Sequence, residues 1–147
     1  MGNVYGIASP LALPASYTAG ADVTLTAGTE TTIITSGVIN APGPRDYYPL
    51  IWLAVAILFG ATAPTALTFA FKLGAGSDVD SQAVAVASMV ANATTYYYIP
   101  LIGANSGTAW VGTGSTINIT ALAATTAATF KFAGSRALVA LLPGPDA

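Results

Sequence analysis

The sequence contains neither cysteine nor histidine. Without cysteine there is no disulfide framework, no thiolate nucleophile and no sulfur ligand for a metal, and without histidine the commonest general base and metal ligand are missing. Most hydrolase, transferase and metalloenzyme designs are thereby excluded. We therefore expect no enzymatic activity, no cofactor, and neither a catalytic nor a metal site.

The nearest approach to such a site is the acidic pair Asp78 and Asp80, in a turn-rich stretch over residues 74–81. The spacing does not fit an EF-hand loop, and a calcium ion needs about six to eight oxygen ligands. Two carboxylates can also form a catalytic pair, but no basic or aromatic cleft accompanies these two in the sequence. We interpret the pair as part of a solvated turn.

Charged residues are also scarce, since the 147 residues include four basic and six acidic side chains, with a net charge of −2. Ordinary globular domains have roughly a quarter of their residues charged. So low a content of charged residues indicates that much of the surface is covered by identical or foreign subunits in a permanent assembly. The alternative is a free surface made of Thr, Ser, Asn and Ala. The basic residues are scattered, so no basic patch predicts binding to nucleic acid.

The chain is organised around an apolar stretch over residues 47–73. Its first part, 50–59, is a continuous run rich in β-branched and aromatic residues, and its last part, 66–73, alternates bulky apolar with small or polar residues. A period of two predicts β-strands. We interpret the stretch as two neighbouring strands in the middle of a β-sandwich, the first buried on both faces and the second on one, with Trp52 in the core.

The same stretch has a second interpretation, because residues 50–71 contain no charge. About 20 apolar residues are enough for a helix to cross a bilayer. Gly60 and Pro64 interrupt such a helix, the β-branched and aromatic content favours strand, and no basic cluster sets an orientation. Strands are therefore favoured, and a membrane-associated protein is kept as an alternative.

Short β-type segments separated by Gly and Pro turns make up most of the remaining chain. We predict strands at 23–25, 31–39, 82–88, 94–102, 108–111, 116–122, 128–132 and 136–142, and a loop at 41–46. Strands repeated every 8–12 residues or so are typical of a sandwich or barrel. We find no repeat and no second domain, so the prediction is an N-terminal arm, 1–21, followed by one domain, 22–147.

The predicted arm is uncharged and interrupted by Pro10 and Pro14. It lacks the positive n-region of a signal peptide and the periodicity of a helix or strand. Terminal segments are often disordered, but disorder accompanies low hydrophobicity and high charge, neither of which this segment has. We expect an extended arm that orders against a neighbour through apolar anchors. The anchors are Tyr5, Ile7, Leu11, Leu13 and Tyr17.

Three consecutive tyrosines, Tyr96, Tyr97 and Tyr98, lie in one predicted strand, so they point to both of its faces. Outward tyrosines are typical of protein interfaces, although a strand edge lying under a loop would use them too. The last strand, 136–142, is apolar on both faces and needs cover on both sides. Trp110 is either a core residue or an exposed anchor. We take the three tyrosines and Trp110 as interface candidates.

In order along the chain, the segments TETTIITSGVI, LIWLAVAILFG, TALTFAFKLG, GSTINITA, TFKF and GSRALVALLPG resemble the small single jelly rolls of the tumour-necrosis-factor and C1q type. That fold recurs in trimeric capsid decoration proteins and fibre heads of tailed phages. The resemblance covers residues 28–142. It is a pattern of strands without a sequence motif, so no site residue is carried over from the family.

The resemblance implies an all-β fold, a single jelly-roll β-sandwich of about eight antiparallel strands. It implies a structural virion protein on the capsid exterior of a bacteriophage. Three jelly rolls would form a homotrimer, and the arms would fasten it to the major capsid protein or to neighbouring decoration trimers. Neither nucleic acid nor membrane is an expected partner. The alternative is a receptor- or carbohydrate-binding fibre head with exposed aromatic residues, such as Trp110, in a groove.

Overall fold

The computed structural model describes residues 12–14, 21–39, 46–85, 92–103, 110–111 and 116–143, which form ten β-strands. The strands are β1 (Ala12–Pro14), β2 (Val23–Leu25), β3 (Thr31–Thr35), β4 (Asp46–Phe59), β5 (Ala66–Leu73), β6 (Asp78–Ala85), β7 (Thr94–Ile102), β8 (Trp110–Val111), β9 (Ile117–Ala123) and β10 (Ala128–Pro143). Within these ranges, no helix has the length and apolar character that crossing a membrane requires.

The strands form two antiparallel sheets that enclose one core. The front sheet has the order β1-β10-β4-β7, with β2 also on β10 and β8 also on β4. The back sheet has the order β3-β9-β5-β6. Without the short β1 and β8, the order is β2-β10-β4-β7 over β3-β9-β5-β6, which is the jelly-roll arrangement. The predicted all-β jelly-roll sandwich is therefore confirmed.

The predicted pairing of the two central strands is wrong, because β4 and β5 lie in different sheets. β4 pairs with β10, β7 and β8, whereas β5 pairs with β6 and β9. The connection 60–65 thus crosses from one sheet to the other instead of closing a hairpin. Either arrangement turns the apolar side of each strand toward the core, so the alternation in the sequence is the same for both.

The burial of β4 also differs from the prediction. Ile51 and Leu53 are buried in the core, but Trp52 between them is 55 % exposed on the outer side of the sheet. Both faces of β4 are buried at Ala56 and Ile57. The placement of Trp52 in the core is therefore wrong. An uninterrupted apolar run is expected for a strand buried on both faces, but a strand with one buried face and one exposed apolar face has the same sequence pattern.

The alternation predicted for β5 is confirmed, and β9 alternates in the same way. Leu67, Phe69 and Phe71 of β5 have no exposed surface, and Ile117 and Ile119 of β9 are likewise buried. Burying one such side chain stabilises the fold by about 1.5–3 kcal/mol. Since Leu67, Phe69 and Phe71 pair in register with Ala123, Ala121 and Ile119, the two central back strands present one continuous apolar surface to the front sheet.

The two predicted strands 128–132 and 136–142 are one strand, β10, with a bulge between them. Lys131 pairs with Ala56 and Arg136 with Ala54, so residues 132–135 stand opposite Val55 alone. The three extra residues reverse the inward and outward phase of the strand. Phe130 and Ala137, seven positions apart, are consequently both buried. Gly134 supplies the positive φ of 92° that the bulge uses.

Several strand boundaries differ from the predictions. β4 begins at Asp46 instead of 50. β6 begins at Asp78 instead of 82, because Asp78 and Asp80 pair with Lys72 and Phe71 of β5. The Asp80 carboxylate also accepts a hydrogen bond from the Ile102 N–H of β7 at 2.7 Å. The acidic pair therefore lies in an edge strand and not in a solvated turn. β3 ends at Thr35, four residues earlier than predicted, whereas the predicted range of β7 is confirmed.

The side chain of Ser135 closes the bulge, and its loss tests the bulge's contribution to stability. Its hydroxyl accepts from the Ala56 N–H at 2.9 Å and donates to the Lys131 carbonyl at 2.6 Å. We expect Ser135→Ala to lower the free energy of unfolding by about 1–3 kcal/mol, because a buried N–H loses its acceptor. Urea denaturation at equal protein concentrations measures the change.

The matched control is Ser81→Ala, since Ser81 is exposed on β6. We expect that change to remain within about 0.5 kcal/mol of the wild type. Equal unfolding free energies for Ser135→Ala and the wild type would show that the bulge does not need this hydroxyl.

Candidate functional site

The outer side of the front sheet is apolar across its three long strands. In one row Trp52 lies opposite Leu138 on β10 and opposite Pro100 on β7. The neighbouring rows are Arg136, Ala54 and Tyr98 on one side, and Ala140, Leu50 and Ile102 on the other. We call this surface the apolar outer face. It consists of Leu50, Trp52, Ala54, Tyr96, Tyr98, Pro100, Ile102, Leu138 and Ala140.

Most large apolar side chains that the described residues expose lie on the apolar outer face. Tyr98 is 81 % exposed, Tyr96 58 %, Trp52 55 % and Leu138 45 %, and the fifth, Val38, follows β3. Scattered apolar side chains are normal on a surface, but a contiguous patch marks a site of interaction. The aromatic content of this patch matches that of protein interfaces.

The strand geometry of β7 sorts the three tyrosines. Tyr97 points inward, where its ring centroid lies 6.4 Å from that of Phe59 at an interplanar angle of 88°, and burial raises the pKa of its hydroxyl. Tyr96 and Tyr98 point outward. Tyr96 lies over the bulge of β10, so close that a Cβ atom added at Gly134 would stand 3.3 Å from the Tyr96 ring. Of the three, Tyr96 and Tyr98 are thus available for an interface.

The other sequence-based candidates are placed only in part. Leu13 belongs to β1, where it pairs with Val139 of β10. Tyr5, Ile7, Leu11 and Tyr17 lie outside the described residues, as does the side chain of Trp110. Sequence reasoning missed Trp52 and Leu138. The signal that could have found Trp52 is its phase, because it alternates with the bulky residues 51, 53, 55, 57 and 59 and shares its phase with two alanines.

The free edge of the front sheet is capped at one end. The Ile102 N–H points away from β4 and donates to Asp80 Oδ2 at 2.7 Å. Two residues earlier in the same phase stands Pro100, which has no N–H to offer. A proline and an occupied donor discourage the pairing of another strand here. The apolar outer face, rather than this edge, is therefore the surface suited to a partner.

The outer side of the back sheet has the opposite character. Lys72 lies at 2.8 Å from Glu30 and 3.6 Å from Asp78. Glu30 also accepts from the Thr120 hydroxyl at 2.5 Å. The hydrogen bond from Lys72, followed by that from Thr120, lowers the pKa of Glu30, and the hydrogen bond to Glu30 raises the pKa of Lys72. Asn118 donates to the Gly74 carbonyl at 2.6 Å nearby. Lys72, Glu30 and Thr120 on this face are thus paired with one another.

The described residues contain no group of three or more Asp, Glu, His or Cys side chains able to hold a metal ion. A shallow concavity at one end of the sandwich is lined by apolar residues and by Thr24, Asn92 and Thr129, with no ionisable side chain. The arrangement that stands out among the described residues is the apolar outer face.

No protein-family model matches the chain, and no curated protein matches it. Among solved structures it is similar to a chain in the structure of the Gx strain of infectious bursal disease virus, with a TM-score of 0.56 and 12 % sequence identity. The match covers 94 % of this chain and 33 % of that chain, so this chain spans about a third of the other's length. At this identity the likeness shows the fold, which is a jelly-roll sandwich shared with a viral chain.

The Glu30–Lys72 pair predicts how stability depends on pH. Because the pKa of Glu30 is lowered in the folded chain, its contribution is present above the unfolded pKa of about 4.3 and is lost as the pH falls through the lower folded value. Because the pKa of Lys72 is raised, the contribution is also lost when the pH rises through that value. We expect Glu30→Gln to be less stable than the wild type at pH 7 and the difference to shrink below about pH 4.

Thermal or urea unfolding of both chains across the acid range measures this effect. The glutamine side chain of the variant keeps an oxygen that can accept from Thr120, so the comparison isolates the charge. A constant difference between the two chains from neutral to acid pH would contradict the assignment.

Proposed function

We propose that the chain is a structural protein of a virion, which decorates and stabilises the capsid exterior as a homotrimer. The observation that carries this proposal is the apolar outer face, an aromatic and nearly uncharged surface on a jelly roll whose other face is polar. The fold shared with a viral chain supports the same assignment.

Self-association follows from the physical state of the apolar outer face. Trp52, Tyr98 and Leu138 expose apolar surface that water solvates poorly, and covering it stabilises an assembly by about 25 cal/mol per Å² before the costs of association. The chain has ten charged residues among 147. Electrostatic repulsion between copies is therefore weak and does little to oppose their association through this face. In an oligomer with closed symmetry the face is buried in every copy, so no exposed apolar surface remains to which further copies could add.

The N-terminal segment is the proposed attachment to the shell. β1 pairs with Leu138, Val139 and Ala140 of β10, so the segment reaches the sheet at the border of the apolar outer face. Residues 1–11 precede that contact and are uncharged. Three such segments on one trimer would act at a high effective concentration, so modest single contacts give a lasting attachment to the major capsid protein or to neighbouring trimers.

A second function is favoured by the exposed rings themselves. Trp52, Tyr96 and Tyr98 are also suited to a receptor or carbohydrate, because aromatic side chains offer a flat apolar body with a polar group. A fibre-head module would then use the same face. A bound glycan raises the melting temperature of the chain, so a panel of glycans without any such rise counts against this function.

Replacing Tyr98 by aspartate tests the proposed assembly. We expect Tyr98→Asp to raise the dissociation constant of the trimer by at least about 30-fold, the effect of losing an interface residue worth about 2 kcal/mol. The fold should remain stable, because the side chain is 81 % exposed. Sedimentation equilibrium in detergent-free buffer measures the association, and circular dichroism measures the fold.

Two variants serve as controls for this test. Thr32→Asp adds the same charge to β3, at the edge of the back sheet opposite β6, and should leave association unchanged. Tyr97→Asp puts a carboxylate beside Phe59 and Phe69 and should lower the free energy of unfolding instead. A wild-type chain that sediments as a monomer would refute the homotrimer.

Deleting residues 1–20 separates the arm from the assembly. We expect the truncated chain to stay folded and trimeric, because β2 and the apolar outer face remain intact and only the short β1 is lost from the described strands. Sedimentation equilibrium of the truncated and full chains makes the comparison. Loss of the trimer would show that the arm holds the copies together, contrary to the proposed role in attachment to a shell.

A further inference from the structure

Arg136 is the one charged residue in the three central rows of the apolar outer face, whereas Lys131, in the row of Tyr96 at the border of the face, is paired with Asp22. Arg136 is exposed, lies opposite Ala54 and shares a row with Tyr98. No carboxylate among the described residues forms an ion pair with it. A guanidinium that is covered without an acceptor is costly, and a carboxylate is its best partner. A surface that covers this face is therefore favoured if it provides an acidic group near Arg136.

Most described carboxylates already have partners within the chain. Asp22 accepts from Lys131 and from the Phe132 N–H, the latter at 3.1 Å. Asp80 accepts from the Ile102 N–H. Glu30 takes the short contact to Lys72 at 2.8 Å, together with the Thr120 hydroxyl.

Asp78 has the longest ion pair in this set and the most exposed side chain of the three ion-paired carboxylates. It reaches the same ammonium, that of Lys72, at 3.6 Å, and its side chain is 46 % exposed. The cluster thus holds two carboxylates for one ammonium, with a net charge of −1. Arg136 is the cation without an ion pair in the described part of the chain. Asp78 has the longest contact among the ion-paired carboxylates, and it is more exposed than Asp80, which is bound to the Ile102 N–H.

The two charges lie on different surfaces of the molecule. Arg136 is on the outer side of the front sheet, whereas Asp78 begins β6, the edge strand of the back sheet. They can therefore pair between copies of the chain. A two-fold contact through the apolar outer face would place the same patch, including Arg136, on both sides of the interface. Like charges at an interface oppose association, so the charges favour a head-to-tail contact.

We propose that the apolar outer face of one copy packs against the β6 edge of a second copy, with Arg136 paired to Asp78 of that copy. This inference rests on the self-assembly proposed above. When the face of one copy contacts the edge of the next, each copy is rotated relative to the one before it. Such a rotation allows a ring of copies to close. A contact between opposite faces of the sandwich would instead stack copies without limit.

A charge-reversal cycle tests the pairing. Sedimentation equilibrium at low ionic strength compares the wild type with Arg136→Glu, Asp78→Lys and the double variant. We expect each single change to raise the dissociation constant about tenfold or more, and the double variant to recover most of that loss, as close charge pairs at interfaces do. High salt should reduce all of these differences.

The matched control combines Arg136→Glu with Gln82→Lys. Gln82 is exposed on the same strand as Asp78, and its change adds one positive charge four residues further on. This control should recover less association than Asp78→Lys, because its charge lies about 13 Å further along the strand and the attraction between charges falls with distance. Melting temperatures of all variants confirm that each chain is folded.

The outcomes separate the two proposals. A monomeric wild-type chain overturns both. A wild-type trimer that Tyr98→Asp dissociates, but in which the double variant is no better than the single ones, keeps the assembly through the apolar outer face and overturns the pairing. Equal recovery by Gln82→Lys and Asp78→Lys also overturns the pairing, because net charge alone would then explain the result.

Discussion

The structure depends on the rule that a β-strand has two faces, of which the core shared by two packed sheets can cover one. In the back sheet this division is clean, since Phe69 and Phe71 point into the core and Lys72 points out. In the front sheet both faces are apolar. The core takes Ile51 and Leu53, and Trp52 is left outside. The chain thus holds more apolar side chains than one sandwich can bury, and the excess is concentrated on a single surface.

The bulge in β10 decides which residues make up that surface. With three extra residues between Lys131 and Arg136, the strand changes phase relative to β4. Without this change Val139 would point outward, and Leu138 would point into the core. Gly134 and Ser135 make the bulge possible, one by its positive φ and the other by its two hydrogen bonds. The core and the apolar outer face therefore have a common local cause.

Much of the fold could be predicted from alternation alone. In the back sheet, β5 over Leu67–Phe71 and β9 over Ile117–Thr120 alternate strictly between bulky apolar and small or polar residues. Alternation therefore identifies their inward residues correctly. Alternation says nothing about which strands pair, because a hairpin and a crossing between sheets bury the same side of each strand. The positions of β4 and β5 in opposite sheets thus had no signal in the residues. The continuity of β10 was hidden for a related reason, since the bulge residues look like a turn.

The interface candidates show the same limit. A strand with three consecutive tyrosines must expose at least one, but which of them turns outward depends on the phase of β7 against β4. Trp52 was misplaced because an aromatic residue in an apolar run fits a core as well as an exposed patch. The residues outside the described ranges, Tyr5 and Tyr17 among them, stay predictions.

The small number of charges takes on a specific meaning once their positions are known. Lys72, Glu30 and Asp78 gather on the back sheet, and Lys131 pairs with Asp22 beside β2. The charges are therefore not spread evenly over the surface, and in the three central rows of the apolar outer face Arg136 is the one charged residue. Pro100 and the Asp80 carboxylate limit the growth of the front sheet at its edge. The front sheet thus has an apolar outer face suited to a partner and an edge that resists added strands. This combination favours association between whole folded copies over open-ended pairing of strands.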